Sequence, residues 1–552
     1  MSENRSENAA FPDLDDGQLA VLAGYGERRR IAPGEVLFSP GSLDYDFIVI
    51  LSGAVEILGS DGTGGQAVIT RHGARRFLGE VSLVTRQRPY LTARVVEAGE
   101  IIVIPADVFR SHVMGDVRVS DTILEAFLAR RALLLSSAAD TLQIVGSEFS
   151  PESMALREYA ARNGLPHRWI DADTQTDVAT LLAGLGVTVA DLPVAIIPQG
   201  VLRRATPGEL ASRLGLTVDS VPDRCFDIVV VGAGPAGLAA SVYAASEGLR
   251  TLTVDSVAAG GQAAASSRIE NYLGFPTGIS GGDLTNRAAV QAQKFGAVLT
   301  SPCAVNRLEE RAGHLVAILA DGTEVAGRAM VAATGAHYRR LPVEGLERYE
   351  SVGVYYAATE LEARACGGSP VVVVGGGNSA GQAAMFLAQA GSEVSVVVRR
   401  DLSATMSNYL VERIENHPRV HVHVGSTITA LEGEQSLERV TVTCAADNQD
   451  HVVACRALFS FIGATPNSEW LAGVATDEDG FVLTDRSLDR STLGKAWHTI
   501  KRRPLPYETN RPGLFAVGDL RAGSTKRVAA AVGEGSAAIR SVHEHLALAT
   551  DS

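Results

Sequence analysis

Two glycine-rich turns carry most of the chemistry in this sequence. The first reads Gly232-Ala233-Gly234-Pro235-Ala236-Gly237, after the apolar run 226–231 and before a helical pattern. Gly232 permits the tight turn, Gly234 lets backbone approach a pyrophosphate, and Gly237 allows close helix–strand packing. A second apolar strand then ends on Asp255, where a carboxylate accepts ribose hydroxyls. Strand, turn, helix, strand and acid together specify a dinucleotide site, whereas a glycine turn alone fits a ligand-free loop equally well.

The second turn has Gly375, Gly377 and Ala380 at the same three positions, with Asn378 and Ser379 between them. Its following strand ends on Arg399 and Arg400 instead of an acid. Paired guanidinium forks suit a 2′-phosphate, which favours NADPH over NADH. The bland alternative is a pair of solvated arginines.

The sulfurs are scattered. Cys225, Cys303, Cys366, Cys444 and Cys455 form no CxxC and no metal-type cluster, so neither a disulfide framework nor a metal site is expected. Cys366 has no partner at a useful spacing and reads as a small packing residue.

Further segments give the region 226–546 its resemblance. They are GGQ at 260–262, ENYLGFP at 270–276, AATGA at 332–336, GLFAVGD at 513–519 and STKRVAAAVGEG from 524. With the two fingerprints they resemble the low-molecular-weight thioredoxin reductase family. The resemblance implies FAD and NADPH, a homodimer, a discontinuous FAD domain at 226–341 and 465–546, and an NAD(P)H domain at 342–464. It implies that Gly261, Gln262 and Asn271 line the flavin, that Asp519 after Gly518 holds its ribityl chain, and that Thr334 and Gly335 lie near the first crossover. Amides at Lys526, Arg527 and Val528 are then expected to open a helix facing the flavin's pyrimidine carbonyl.

The departures from that family are as informative. Ala357 and Glu360 stand where it carries its two redox cysteines. Thiol–disulfide exchange needs two sulfurs, so conventional thioredoxin reduction is not expected. Glu360 invites a general-acid role, against the plainer reading of a solvated or capping glutamate. Val398 and Ala404 replace a histidine and a third arginine, which bears on coenzyme preference and not on dinucleotide binding. The stretch 486–512 is longer than the family's connection. Its Trp497, Lys501, Arg502, Arg503 and Tyr507 suggest either a dock for an acidic partner such as a ferredoxin or an ordinary surface insertion.

The elements that must position these groups follow from periodicity. Short strands at 36–38, 47–51, 54–58, 67–70 and 101–104, separated by turn residues including Ser52-Gly53, precede a long helix at 117–137. The segments PGEVLF, DFIVILSGAVEIL, FLGEVSL and LTARVV make 1–140 resemble a cyclic-nucleotide-binding β-barrel. The resemblance implies a phosphate cassette from Gly79, with Glu80 on a ribose 2′-hydroxyl and Thr92 at the family's Thr/Ser position. Pro89 stands where its arginine belongs, and Arg86, Arg88 or Arg94 would have to compensate. Weak or absent cAMP binding is expected. Residues 141–216 read as strand, helix, strand, strand and resemble a glutaredoxin or thioredoxin fold. Ser150-Pro151-Glu152-Ser153 replaces CPxC, and Leu192–Pro193 is the expected cis bond.

Composition agrees with that outline. A chain of 552 residues with 46% hydrophobic and 20% charged residues needs several cores. A net charge of -14 argues against nucleic acid and anionic membranes as partners. No apolar run approaches the roughly 18 residues of a membrane span. The acidic start, 1–16, lacks a signal-peptide pattern, so a cytoplasmic location is expected. The expected fold class is α/β multidomain, two Rossmann-like domains preceded by a β-barrel and a thioredoxin-fold unit. The expected activity is an FAD-dependent NADPH oxidoreductase whose acceptor is a ferredoxin, a quinone, a small molecule or oxygen. A redox or NADPH sensor with little turnover, and a disulfide reductase using partner-supplied thiols, are the alternatives.

Overall fold

The computed structural model describes residues 9–550 except 41, 43–44, 61–65, 87, 90, 137–141, 148–149, 164, 166, 176–177, 198–199, 215–224, 266–268, 270–271, 350–352, 357, 359–362, 364–365, 435, 490, 495–496, 498–499 and 501. The chain divides into two compact units, Met1–Gly335 with Asn467–Ser552, and Ala336–Pro466.

The front of the first unit is an antiparallel sheet of β1 (Glu27–Ile31), β2 (Val36–Phe38), β3 (Phe47–Ser60), β4 (Gln66–His72), β5 (Phe77–Leu78) and β6 (Thr92–Ile104). β3 and β6 are its long central pair. The Ser52-Gly53 turn expected from sequence is instead a bulge inside β3, where the register shifts at Ser52 and Ala54. Gly53 sits at φ +85, and a Cβ there would lie 2.6 Å from the Glu97 carbonyl oxygen, so only glycine lets the strand continue. Helix α1 (Ser82–Thr85) follows β5, and α2 (Ser120–Ser136) closes the core with Ile123, Ala126, Phe127 and Arg130, one helical face.

The next sheet has order β10-β9-β7-β8, from β7 (Gln143–Gly146), β8 (Arg168–Asp171), β9 (Val194–Ile197) and β10 (Gly200–Leu202). Parallel β7 and β8 flank helix α3 (Pro151–Arg162), the topology expected of the thioredoxin-like unit. Leu192–Pro193 is cis, as the sequence suggests.

The rest of this unit is a seven-stranded sheet. Its parallel strands are β11 (Cys225–Val231), β12 (Thr251–Val254), β13 (Val298–Thr300), β16 (Glu324–Ala332) and β27 (Leu514–Ala516). β14 (Val305–Arg311) and β15 (His314–Leu319) extend it antiparallel. Helices α4 (Pro235–Ser246) and α5 (Gly281–Lys294) follow β11 and β12, and α7 (Val528–Thr550) lies against α4. That last contact is very close, because a Cβ on Gly535 would fall 2.0 Å from the Ala236 carbonyl oxygen.

The second unit holds a parallel five-stranded sheet, β18-β25-β19-β20-β21, from β18 (Val354–Tyr355), β19 (Val371–Val374), β20 (Val394–Val398), β21 (Val420–Val424) and β25 (Ala457–Ser460). Helix α6 (Asn378–Gln389) follows β19. A three-stranded antiparallel sheet over 426–454 and the pair Ala336–Tyr338 with Ala464–Pro466 complete it. Among the described residues no helix is long and apolar enough to cross a membrane.

Candidate functional site

The first glycine turn leaves β11 at the carboxyl edge of the seven-stranded sheet. Gly232 takes φ +103, and a Cβ there would lie 2.4 Å from the Ala333 carbonyl oxygen. A Cβ on Gly237 would fall 1.8 Å from the Gly232 carbonyl oxygen. Neither position admits another residue without moving backbone. Asp255 follows β12 and is held by three amides: Ala233 donates to Oδ2 at 2.8 Å, and Val257 and Ala258 to Oδ1 at 2.9 Å. A carboxylate has roughly four acceptor sites, so one direction remains for a ribose hydroxyl.

The segment 258–261 folds back onto this turn, with the Gly260 amide donating to the Ala233 carbonyl at 2.7 Å. A Cβ on Gly261 would lie 2.9 Å from the Gly234 Cα. Pro235 and Ala236 open α4, and Gln262 is exposed just beyond the segment. Asn271 lies outside the described residues. Thr334 and Gly335 form a clamp at the chain crossover: the Thr334 hydroxyl donates to the Asn467 carbonyl at 2.7 Å, Asn467 Nδ2 donates to the Thr334 carbonyl at 2.8 Å, and the Asn467 backbone amide to the Gly335 carbonyl at 3.0 Å. Sequence reasoning missed Asn467, whose role depends on two distant segments meeting.

Gly518 and Asp519 follow β27 on the same edge. Gly518 takes φ +69, with room for a Cβ denied at 2.8 Å by Ala236. Glu534, another residue missed, accepts the Gly518 amide at 2.8 Å and pairs with both Nε and an Nη of Arg521. Burial raises the Asp519 carboxyl above its ordinary value, opposed by Lys526 and reinforced by Glu534. Helix α7 begins at Val528; ahead of it the Arg527 amide donates to the Thr525 carbonyl at 2.7 Å, and Lys526 Nζ donates to the Asp519 carbonyl at 2.6 Å.

These groups fit FAD. Gly232, Gly234, Gly261 and Gly518 bring bare backbone to one place, and two carboxylates, Asp255 and Asp519, stand at strand ends where ribose and ribityl hydroxyls need acceptors. Among the described residues no group of His, Cys, Asp or Glu is arranged to hold a metal ion.

In the second unit Gly375 takes φ +139, with a Cβ position 2.4 Å from the Phe461 carbonyl oxygen. Gly377 faces open space at the start of α6, where a pyrophosphate can approach the helix amides. Ala380 is fully buried against its sheet. Asn378 accepts the Ser407 amide through Oδ1 at 2.8 Å, and Thr405 donates to the Gly376 carbonyl at 2.8 Å, so a loop absent from the motif braces this turn. Ser379, Arg399 and Arg400 are exposed.

The thiols are placed apart from both turns' motif positions. Ala357 and Glu360 lie outside the described residues. Cys366 does acquire a neighbour that sequence spacing hid: burial, and then the nearby Cys366, push the Cys455 thiol up to about 12. Both are 3% exposed and unbridged. A buried thiol held protonated is a poor nucleophile.

In the front sheet Gly79 takes φ +125 and Glu80 is buried. Glu80 Oε2 accepts from Arg131 of α2 at 3.2 Å, while its Oε1 is buried without a partner. Arg94 is paired with Glu56 at 3.5 Å, which removes it as a substitute for the missing cassette arginine. Arg88 is half-buried with its Nε unpartnered, and Thr92 is buried at the start of β6.

In the long insertion Arg502 and Trp497 are engaged internally, while Arg503 is exposed. Arg502 pairs with the fully buried Glu508, which also accepts the Leu505 and Gly513 amides at 2.7 and 2.9 Å. Trp497 is 4% exposed and donates to the Asn510 carbonyl at 2.7 Å. Lys501 lies outside the described residues. A buried carboxylate must be paired, and this pairing takes the arginine that a docking surface would have used.

Comparison with known proteins places this geometry. Residues 226–535 match the family model described as pyridine nucleotide-disulphide oxidoreductase, and residues 28–116 match the cyclic nucleotide-binding domain. A thioredoxin reductase of Treponema pallidum (strain Nichols) is 30% identical over 326 residues, covering 58% of this chain and 97% of the relative. One of Bacillus subtilis (strain 168) is 30% identical over 326 residues, covering 59% and 96%. The solved thioredoxin reductase from Giardia duodenalis is 26% identical, with a TM-score of 0.49, and the match covers 59% of this chain and all of that one (100%).

Proposed function

The chain belongs to the pyridine nucleotide-disulphide oxidoreductase family as a thioredoxin reductase-like, FAD- and NADPH-dependent enzyme, and from that premise we propose that it passes electrons to an acceptor without a dithiol of its own. The observation that carries this is the placing of the sulfurs. Neither family cysteine position bears one, and the Cys366 and Cys455 side chains are both buried, with the Cys455 thiol pushed up to about 12.

FAD, when bound, takes hydride from NADPH and yields electrons one or two at a time. The protein supplies position and charge. Asp255 fixes the adenosine ribose, Asp519 the ribityl chain, and Gly232, Gly234, Gly237 and Gly261 keep side chains out of the pyrophosphate's path. On the coenzyme side Gly375, Gly377 and the amides of Asn378, Ser379 and Ala380 receive the pyrophosphate, and Arg399 with Arg400 receives the 2′-phosphate. The acceptor is a ferredoxin, a quinone, a small oxidised molecule or oxygen, and the working unit is a homodimer, as the resemblance to thioredoxin reductases implies.

Steady-state NADPH oxidation against a panel of those acceptors tests the reading. Turnover above ~1 per second with one of them supports an enzyme of this kind. Flavin reduction without turnover favours a sensor, and NADPH-linked reduction of thioredoxin by the chain alone overturns the proposal.

A further inference from the structure

The thiol-less thioredoxin-fold unit keeps the strand, helix and cis-proline of a redox fold but offers no nucleophile. Ser150 caps α3 by accepting the Ser153 amide at 3.2 Å, and Ser153 is fully buried. The chemistry of this helix lies at its other end. Tyr159, Arg162 and Asn163 stand at i, i+3 and i+4, one face of a helix end. All three reach the dinucleotide domain. An Nη of Arg162 donates to the Ala258 carbonyl at 2.9 Å and approaches the Gly261 carbonyl at 3.5 Å. Tyr159, fully buried, donates its hydroxyl to the Ser301 carbonyl at 3.2 Å, and Asn163 Oδ1 accepts from the Ser301 hydroxyl at 3.1 Å.

Those two targets flank Asp255. Ala258 donates its amide to the Asp255 carboxylate, and Gly261 touches Gly234 of the glycine turn. On the other side the Asp255 amide donates to the Thr300 carbonyl at 3.1 Å, and the Cys303 amide to the Asp255 carbonyl at 2.6 Å. One helix end therefore grips two segments that hold Asp255, one bonded to its carboxylate and one to its backbone.

We propose that the thioredoxin-fold unit serves as a buttress of the adenosine half of the flavin site, with Arg162 as its principal positioning residue. The proposal rests on the reading that Asp255 and Gly261 belong to the FAD site. Arg162 acts through the loop 258–261, whose carbonyls it holds. A guanidinium bond to a carbonyl is charge-assisted, and its loss frees the loop whose amides orient Asp255.

The test is reconstitution of flavin-free full-length protein with FAD, followed by flavin fluorescence. Arg162→Ala is expected to raise the FAD Kd about tenfold, the worth of a charged hydrogen bond. Arg162→Lys is expected to recover part of that loss. Arg157→Ala, on the same helix, removes a guanidinium that lies 5.1 Å over the Trp169 ring within the unit, and is expected to leave the Kd within twofold. An Arg162→Ala protein that binds FAD as the parent does overturns the proposal, and so does Arg157→Ala weakening FAD equally, since that marks general loosening. Should Arg162→Ala fail to fold, Tyr159→Phe carries the test: a rise of about threefold supports the buttress, and an unchanged Kd overturns it. A parent protein that takes up no FAD overturns the flavin reading itself.

Discussion

The two glycine turns share a pattern and differ in what holds them. At the first, a Cβ on Gly232 or Gly237 would collide with backbone carbonyls, a Cβ on Gly261 would press on the turn itself, and Asp255 is fixed by three amides. A helix from a separate sheet braces the surrounding loop. At the second, the third position already carries a methyl in Ala380, Gly377 opens onto free space, and Arg399 and Arg400 are exposed. The first turn is over-determined, as suits a group that stays. The second is equally tight at Gly375, but it is open at Gly377 and tipped with solvated charge, as suits a coenzyme that binds and leaves.

Substitutions can break that contrast. The largest effect is expected from Gly237→Ala, whose new methyl overlaps the Gly232 carbonyl. A cost of about 3 kcal/mol, roughly a hundredfold in FAD affinity, is expected, and the protein should purify with little bound flavin by its visible absorbance. Next is Asp255→Asn, which puts a donor against backbone donors. Its expected cost is about 2 kcal/mol in FAD binding, measured by the same reconstitution. The double change Arg399→Ala with Arg400→Ala is expected to raise the KM for NADPH about tenfold while leaving the KM for NADH and the FAD content as they were. Equal use of both coenzymes by the parent protein would remove the arginine argument. The smallest effect is Ala380→Gly, the reverse of the first change. It should cost about 1 kcal/mol or less in thermal unfolding, the ordinary helix penalty of glycine, with FAD retained.

Much of this contrast is legible in the sequence, because each turn is local. Strand, glycines, helix and terminal acid or arginines lie within about 30 residues, the reach of one βαβ unit. What escaped lies outside the strand–turn–helix pattern. Asn467 meets Thr334 only once the chain has crossed between distant segments, while Glu534 beside Gly518 and Arg521, and Ser407 beside Asn378, are nearer in sequence but belong to no motif that marks them. The same holds for Arg131, which takes one oxygen of Glu80, and for Arg162. Cys366 reads as solitary for that reason too, since Cys455 lies 89 residues on, in the link between two strands. The Ser52-Gly53 bulge reads as a turn in sequence because a glycine at positive φ serves both, and only the pairing partner distinguishes them. The insertion 486–512 was misleading in the opposite sense. Its basic and aromatic residues suggest a surface, yet one of them, Arg502, is taken by the buried Glu508, which demands a partner.

The decisive property of this enzyme is where it stores electrons. Anaerobic titration of the purified, flavin-loaded protein with NADPH or dithionite, followed at the flavin's visible band, counts them. With neither family cysteine present and with Cys455 held protonated by burial, reduction should be complete at about two electrons per chain, the capacity of the flavin alone. Uptake of about four electrons per chain before the flavin is fully reduced would reveal a disulfide–dithiol centre and contradict the claim that this enzyme delivers electrons without one.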